Sequence, residues 1–172
     1  MPITVEDGTG LADADSYASV AGADVYHALR NVAAWAAAGT AAKEAALVRA
    51  TAWIDATYRA RFSGTKMNGR GQSLEWPRKD AKDAAGEDIG DNEVPREIAE
   101  ATIEAALREV QSAGSLAPDV TPGQTKTLVQ VGELRWKASG AGGATSQKPV
   151  IHAVDGILAS LIGSGAGRLL RA

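Results

Sequence analysis

From Ala41 to about Arg61 the chain carries one unbroken pattern. Leu47, Ala50, Trp53 or Ile54, and Thr57–Tyr58 recur at spacings of three and four, the period that lines up side chains on one face of an α-helix. The pattern predicts a single long amphipathic helix, with Leu47, Ile54 and Tyr58 inward. Arg49, Asp55 and Arg59 fall mainly on its wet side, and Thr40 stands at its N-cap. Similar but shorter patterns flank it. Ser19 can cap a first helix over Val20–Arg30 that ends near Asn31, with Val25 and Leu29 on one face. A third helix has Pro95 in its first turn, Asn92 or Glu93 near its cap, and stripes through Ile98, Ala101, Thr102, Ile103, Ala105, Leu107 and Val110. Glu93, Glu97 and Glu100 crowd its positive end, and Gly114 supplies a stop signal. Pro149 opens a last short helix with Val154, Ile157, Leu158, Leu161 and Ile162 on one face.

The connections are of several kinds. Residues 1–17 open with alternating Ile3 and Val5, then Gly8 and Gly10, and read as an extended arm and a turn. Trp35 sits in an Ala-rich connector ending at Gly39. Gly64, Asn68, Gly69 and Gly71 make a loop. In it Trp76, two residues after Leu74 and directly before Pro77, reads as an anchor pinning the loop to the core. Between Pro118 and Pro149 one ordered stretch, 125–137, alternates Val129 and Val131, then Leu134 and Trp136, about Gly132. It reads as a strand pair or a bulged strand, and an isolated hairpin is marginal in water, so it calls for a partner surface. Residues 140–147 read as a flexible linker.

The expected fold is mainly α: a small bundle of three to four helices with an extended β-strand or hairpin arm, and a C-terminal helix and tail. Residues 1–114 form the N-terminal arm and bundle, 115–149 the strand and loop arm, and 150–172 the last helix and tail, in one structural domain overall. With 172 residues there is room for one domain and too little for two comfortable ones. The chain has a single Phe and many Ala, so large core-filling side chains are scarce. Such chains commonly gain stability by packing on copies of themselves or on partners.

Composition excludes much chemistry. With no Cys there is no disulfide, thiolate or Cys-ligated zinc, and two His (His27 and His152) do not make a His-rich metal site. Both read as structural. No apolar run is long enough for a membrane span, and the N-terminus lacks a secretory signal, so a soluble cytoplasmic chain is expected. Gly165-Ala166-Gly167 lacks the Lys-Ser of a phosphate loop. The acids between Asp80 and Glu93 do not follow a calcium-loop spacing, and read as a solvated acidic loop. No catalytic constellation, metal or cofactor is expected.

Two features point outward. The net charge of -3 argues against a dedicated high-affinity nucleic-acid binder, yet Arg59, Arg61, Lys66, Arg70, Arg78, Lys79 and Lys82 outnumber Glu75 and Asp80 locally. This loop is either an ordinary solvated one or a contact for phosphates or an acidic protein. The second feature is the C-terminus. An apolar helix bearing Ile157, Leu158 and Leu161, followed by Leu169-Leu170 between Arg168 and Arg171, reads as an arm that folds onto a partner.

Thr4-Val5-Glu6-Asp7-Gly8-Thr9-Gly10-Leu11, Asp13-Ala14-Asp15-Ser16-Tyr17-Ala18-Ser19-Val20 and Asp24-Val25-Tyr26-His27 resemble the opening of small tailed-phage and prophage proteins. So do Trp53, Leu74-Glu75-Trp76-Pro77-Arg78, Val94-Pro95-Arg96-Glu97-Ile98 and Val131-Gly132-Glu133-Leu134 before an apolar C-terminal helix. That family is described both as head–tail connector adaptors (head completion proteins) and as DnaT-like single-stranded-DNA-binding proteins. The connector resemblance implies a virion neck protein, made in the host bacterial cytoplasm. About twelve copies would form a ring between the portal protein and a tail-side connector or stopper, with passing contact to packaged double-stranded DNA and none to membrane. It implies portal contacts by Ile157, Leu158, Leu161, Arg168, Leu169, Leu170 and Arg171, and inter-subunit contacts by Leu128, Val129, Val131, Leu134 and Trp136. Arg61, Lys66, Arg70, Arg78 and Lys79 would face the DNA channel or a partner. The alternative is a DnaT-like single-stranded-DNA binder in phage replication, which needs a basic groove and aromatic stacking platforms.

Overall fold

The computed structural model describes residues 2–118 and 150–162, and the backbone of 126–130 and 135–138. The fold is mainly α, as expected, with five helices among the described residues: α1 (Val20–Ala28), α2 (Ala33–Ala37), α3 (Thr40–Tyr58), α4 (Arg96–Gln111) and α5 (His152–Ile162). Two very short strands, β1 (Thr65–Lys66) and β2 (Arg78–Lys79), pair antiparallel between α3 and α4. Two longer ones, β3 (Lys126–Gln130) and β4 (Arg135–Ala138), pair antiparallel between α4 and α5. The chain divides into two compact units. One holds residues 1–116 and 151–172, and the other holds 117–150.

In the first unit α4 packs against both α3 and α5. The core contributed by these helices is rich in alanine: Ala46 and Ala50 on α3, and Ala101, Ala105 and Ala106 on α4, are fully buried. Small side chains let helix backbones approach closely, so a dense core forms without many large residues. Leu47, Ile54, Ile98, Val154 and Leu158 fill the remaining space. Scarce bulk is therefore no sign of an incomplete core. The last helix corrects its sequence reading in the same way. Its apolar face, through Val154, Leu158 and Leu161, is buried within the body, and Tyr58 on α3 donates from its hydroxyl to Asp155 on α5 at 2.6 Å. Leu158 and Leu161 are core residues rather than portal contacts, and Ile157 is half-buried. Arg168, Leu169, Leu170 and Arg171 lie outside the described residues.

Several local expectations hold. Ser19 caps α1 by accepting from the Gly22 amide at 3.0 Å. α3 and the 3-10 turn Arg59–Arg61 together match the long predicted helix, and Gly114 follows α4 with φ +81°. Others shift. Gly39, not Thr40, is the N-cap of α3; Pro95 is the N-cap residue of α4 rather than part of its first turn; Trp35 lies in the short helix α2, not in a connector. Val25 and Leu29 are exposed. Of the stretch 125–137, the described residues 126–130 and 135–137 belong to a strand pair, with Leu128 opposite Trp136 and a register irregularity between Leu128 and Gln130. Val131 and Leu134 lie outside the described residues.

The N-terminal stretch is not an arm. Val5 bridges to Ser16, and the buried Glu6 carboxylate accepts the amides of Gly8, Gly10 and Leu11 at 3.0, 2.8 and 2.9 Å. Gly8 has φ +95°, and a Cβ there would meet the Asn92 carbonyl oxygen at 2.2 Å, so this turn requires glycine. The opening motif is thus a carboxylate-centred knot that seats the chain against the loop preceding α4.

Candidate nucleic-acid interface

The basic loop takes its shape from buried polar groups beneath it. α3 delivers Asp55 to the interior, where its sequence pattern had placed it on the wet side. Asp55 Oδ1 accepts the Tyr17 hydroxyl at 2.6 Å and Oδ2 accepts the Glu75 amide at 3.1 Å, while the Tyr17 oxygen accepts the Glu75 and Trp76 amides. Burial pushes the Asp55 carboxyl up to about 6, against the hydrogen bonds from Tyr17 and Glu75 that favour its charged form. This cluster pins the Glu75–Pro77 segment. Trp76 is fully buried, with its ring 5.7 Å from that of Phe62, so the anchor reading holds.

Arg78 is also internal, which corrects its assignment to an outward-facing basic loop. Its guanidinium donates to the Ser63 carbonyl at 2.7 Å, the Gly64 carbonyl at 2.8 Å and the Glu75 carboxylate at 3.1 Å. It clamps the two ends of the loop together and is not available to a ligand. Gln72 completes the clamp: its amide nitrogen donates to the carbonyls of Leu74 and Pro77, and its oxygen accepts the Asn68 amide.

The remaining bases lie on the outside of this scaffold. β1 and β2 bring Thr65 opposite Lys79 and Lys66 opposite Arg78, and Arg70 sits in the 3-10 turn Gly69–Gly71. Arg59, Arg61, Arg70 and Lys79 are exposed, and Lys66 is half-buried. Arg59 donates to the Asp55 carbonyl, and the Arg61 guanidinium lies 5.7 Å from the Tyr58 ring centroid. Among the described residues no carboxylate pairs with Lys66, Arg70 or Lys79, whereas Lys82 pairs with Asp88. The structure therefore leaves Lys66, Arg70 and Lys79 on one loop, with Arg61 in the 3-10 turn that follows α3, and removes Arg78 from the set.

Stacking platforms are a different matter. Trp35, Trp53, Trp76, Tyr17, Tyr58 and Phe62 are each less than a tenth exposed. Tyr26 is half-buried: the Arg30 guanidinium lies 3.4 Å from its ring centroid, and its hydroxyl donates to Glu104 at 2.9 Å. At the other end of α3, a cavity of about 420 Å³ is lined by Asp24, His27, Val32, Trp35 and Lys43, among others. The Asp24 carboxylate accepts Trp35 Nε1 at 2.7 Å and Lys43 Nζ at 2.8 Å, and the Lys43 bond holds it below the usual carboxylate range. His27 is buried with neither ring nitrogen in a good hydrogen bond, and burial pushes its pKa down. No sequence signal marked this cavity. Among the described residues no group of His, Asp and Glu could hold a metal ion, and no helix is long and apolar enough to cross a membrane.

The family described as "Putative DnaT-like ssDNA binding protein" matches residues 1–172, and the chain belongs to it. No curated protein matches the chain. No solved structure matches it either.

Proposed function

We propose that this chain is a non-catalytic binding protein whose ligand is single-stranded DNA, held through its phosphates. Family membership across the whole chain carries the reading. The surface chemistry supports it. Lys66, Arg70 and Lys79 stand on a loop fixed by buried groups, so they can meet a phosphate chain with little ordering cost. A basic track of this kind gives affinity without sequence preference, and its strength falls with salt as counterions are released. The expected outcome, in an anisotropy titration of a labelled oligonucleotide, is micromolar binding at low salt. Arg70→Ala and Lys79→Ala should each weaken it and flatten the salt dependence, by roughly 0.7 in log–log slope for each phosphate no longer neutralised. No binding at low salt up to about 100-fold above that concentration range would overturn the reading.

A second reading is favoured by one observation. Strands β3 and β4 pair with each other and, among the described residues, with no other strand, so each offers an edge on which a neighbouring chain could add a strand. That suits a connector subunit in the virion neck: a ring of about twelve copies docked on the portal protein, with a tail-side stopper below and double-stranded DNA passing through. Its test is co-migration with the portal protein in size-exclusion chromatography. Association there, with no oligonucleotide binding, would replace the first reading by the second.

A further inference from the structure

We infer that the cavity bounded by α1, α2 and the start of α3 is a site for one unpaired nucleobase, held by Asp24, Lys43 and His27. The inference rests on the single-stranded-DNA reading and deepens it, since family membership assigns no residue and the basic loop accounts only for phosphates.

Small side chains keep the space open. Ala28 ends α1, Asn31 turns the chain with φ +51°, and Ala33 and Ala36 stand three apart on one face of α2. All four line the cavity together with Val32, and its volume is about 420 Å³. Small-molecule sites typically span about 300–1,000 Å³, with mostly apolar walls and a few placed polar groups.

The polar groups here suit a base. Lys43 reaches from the start of α3 to Asp24 on α1, and Trp35 Nε1 bonds the same carboxylate oxygen. Both bonds end on Oδ1, which leaves Oδ2 to accept, while an ammonium carries two further N–H donors. A donor and an acceptor therefore lie side by side, matching the mixed donors and acceptors on the pairing edge of a nucleobase. The two charges cancel, so a neutral ring is favoured over a phosphate. His27 adds an independent sign of a ligand. It lines the same cavity, is 1% exposed, and neither Nδ1 nor Nε2 has a hydrogen-bond partner among the described residues. Burial lowers its pKa, so at neutral pH the ring offers one donor and one acceptor. A buried polar group left unpaired costs stability, and a ligand bonded to it removes that cost.

The basic loop follows the far end of α3, so the two contacts are separable by experiment. The test adds thymidine, deoxycytidine or 2-deoxyribose to the full chain, followed through the assigned His27 ring and Trp35 Nε1–H signals in NMR spectra. Either nucleoside should shift both sets, saturating at about 0.1–10 mM and without the salt dependence of the loop, while the sugar alone shifts neither. Ala36→Trp fills the cavity from its exposed side and should abolish nucleoside binding; Ala33→Phe takes its place if that variant loses its helical circular dichroism. His27→Phe keeps a ring without the nitrogens and should weaken the nucleosides at least about fivefold. Absent shifts, or binding unchanged by filling the cavity or by His27→Phe, would overturn the inference and leave a cavity that holds water only. If the parent chain still binds an oligothymidylate in that case, the DNA reading stands. Nucleoside binding without oligonucleotide binding keeps the site and overturns the DNA reading, and binding of neither overturns both.

Discussion

Two insertions interrupt the helical body, one between α3 and α4 and one between α4 and α5. The first has almost no regular structure: its strands are two residues each. It is nonetheless woven into the body by Leu74, Trp76 and Ala81, and by the Asp55–Tyr17 and Arg78 networks beneath it. The second forms a longer strand pair, yet it clusters as a unit of its own. Regular secondary structure and membership of the core are separate properties. A segment joins a core when its side chains and backbone polar groups find fixed partners there, whatever its dihedral angles. The first insertion presents cations on a support fixed by buried contacts, while the second is ordered by the pairing of its own two strands.

The strongest way to break this contrast is to remove one tryptophan from each insertion. Trp76→Ala should cost about 3–5 kcal/mol in urea denaturation, because it empties a fully buried site. Trp136→Ala should leave the unfolding midpoint of the helical body nearly unmoved. Comparable losses from both would merge the two insertions into one cooperative core. Leu158→Ala follows in size, at about 2–5 kcal/mol, since α5 belongs to the body and not to an outreaching tail. A neutral result there would restore the docking-arm reading of the last helix.

A pH titration sharpens the comparison further. The Asp55 carboxyl is raised in the folded chain from 3.8 to about 6, chiefly by burial, so the folded state holds that proton more tightly than the unfolded one. Its contribution is fully present below about pH 3.8 and is lost as pH rises through about 6. The groups facing it are Tyr17 and Glu75, with Lys66 opposing the rise. Buried His27 acts in the other direction, since its lowered pKa favours the folded chain above its ordinary value of 6.5 and costs stability on acidification. The stability of the parent relative to Asp55→Asn should therefore grow between pH 7 and pH 4.5, by on the order of 2 kcal/mol. A difference independent of pH would mean that Asp55 is charged and solvated, and that the loop is held by packing alone.

What the sequence revealed was local. The α3 period, the Ser19 cap, the Gly114 stop and the Leu74–Trp76 anchor each depend on residues a few positions apart, and each is present. Asp55 and Arg78 were misread because their partners are distant or have no side-chain identity. Asp55 meets Tyr17 across 38 positions, and Arg78 meets the carbonyls of Ser63 and Gly64, which any residue could supply. Glu109 is a similar case, buried at the end of α4 and bound to Arg49 and to the amides of Gly114 and Leu116. For α5, periodicity identified the apolar face but not the surface that would cover it. Lys66, Arg70 and Lys79 were legible as a charge run, but only the fold separates them from the enclosed Arg78.

The smallest expected effect tests what holds the first insertion. At its acidic tip Lys82 pairs with Asp88, with side chains 54% and 81% exposed. Water and salt screen such a pair, and ordering two side chains offsets much of the attraction, so its net value is about 0–1 kcal/mol. Asp88→Ala should change stability by less than about 0.5 kcal/mol and leave the salt dependence of unfolding unaltered. A loss well above about 1 kcal/mol, shrinking with added salt, would make the tip an electrostatic clasp. The first insertion would then be held from its surface, and its contrast with the hairpin would rest on charge instead of on the buried contacts of Trp76, Asp55 and Arg78.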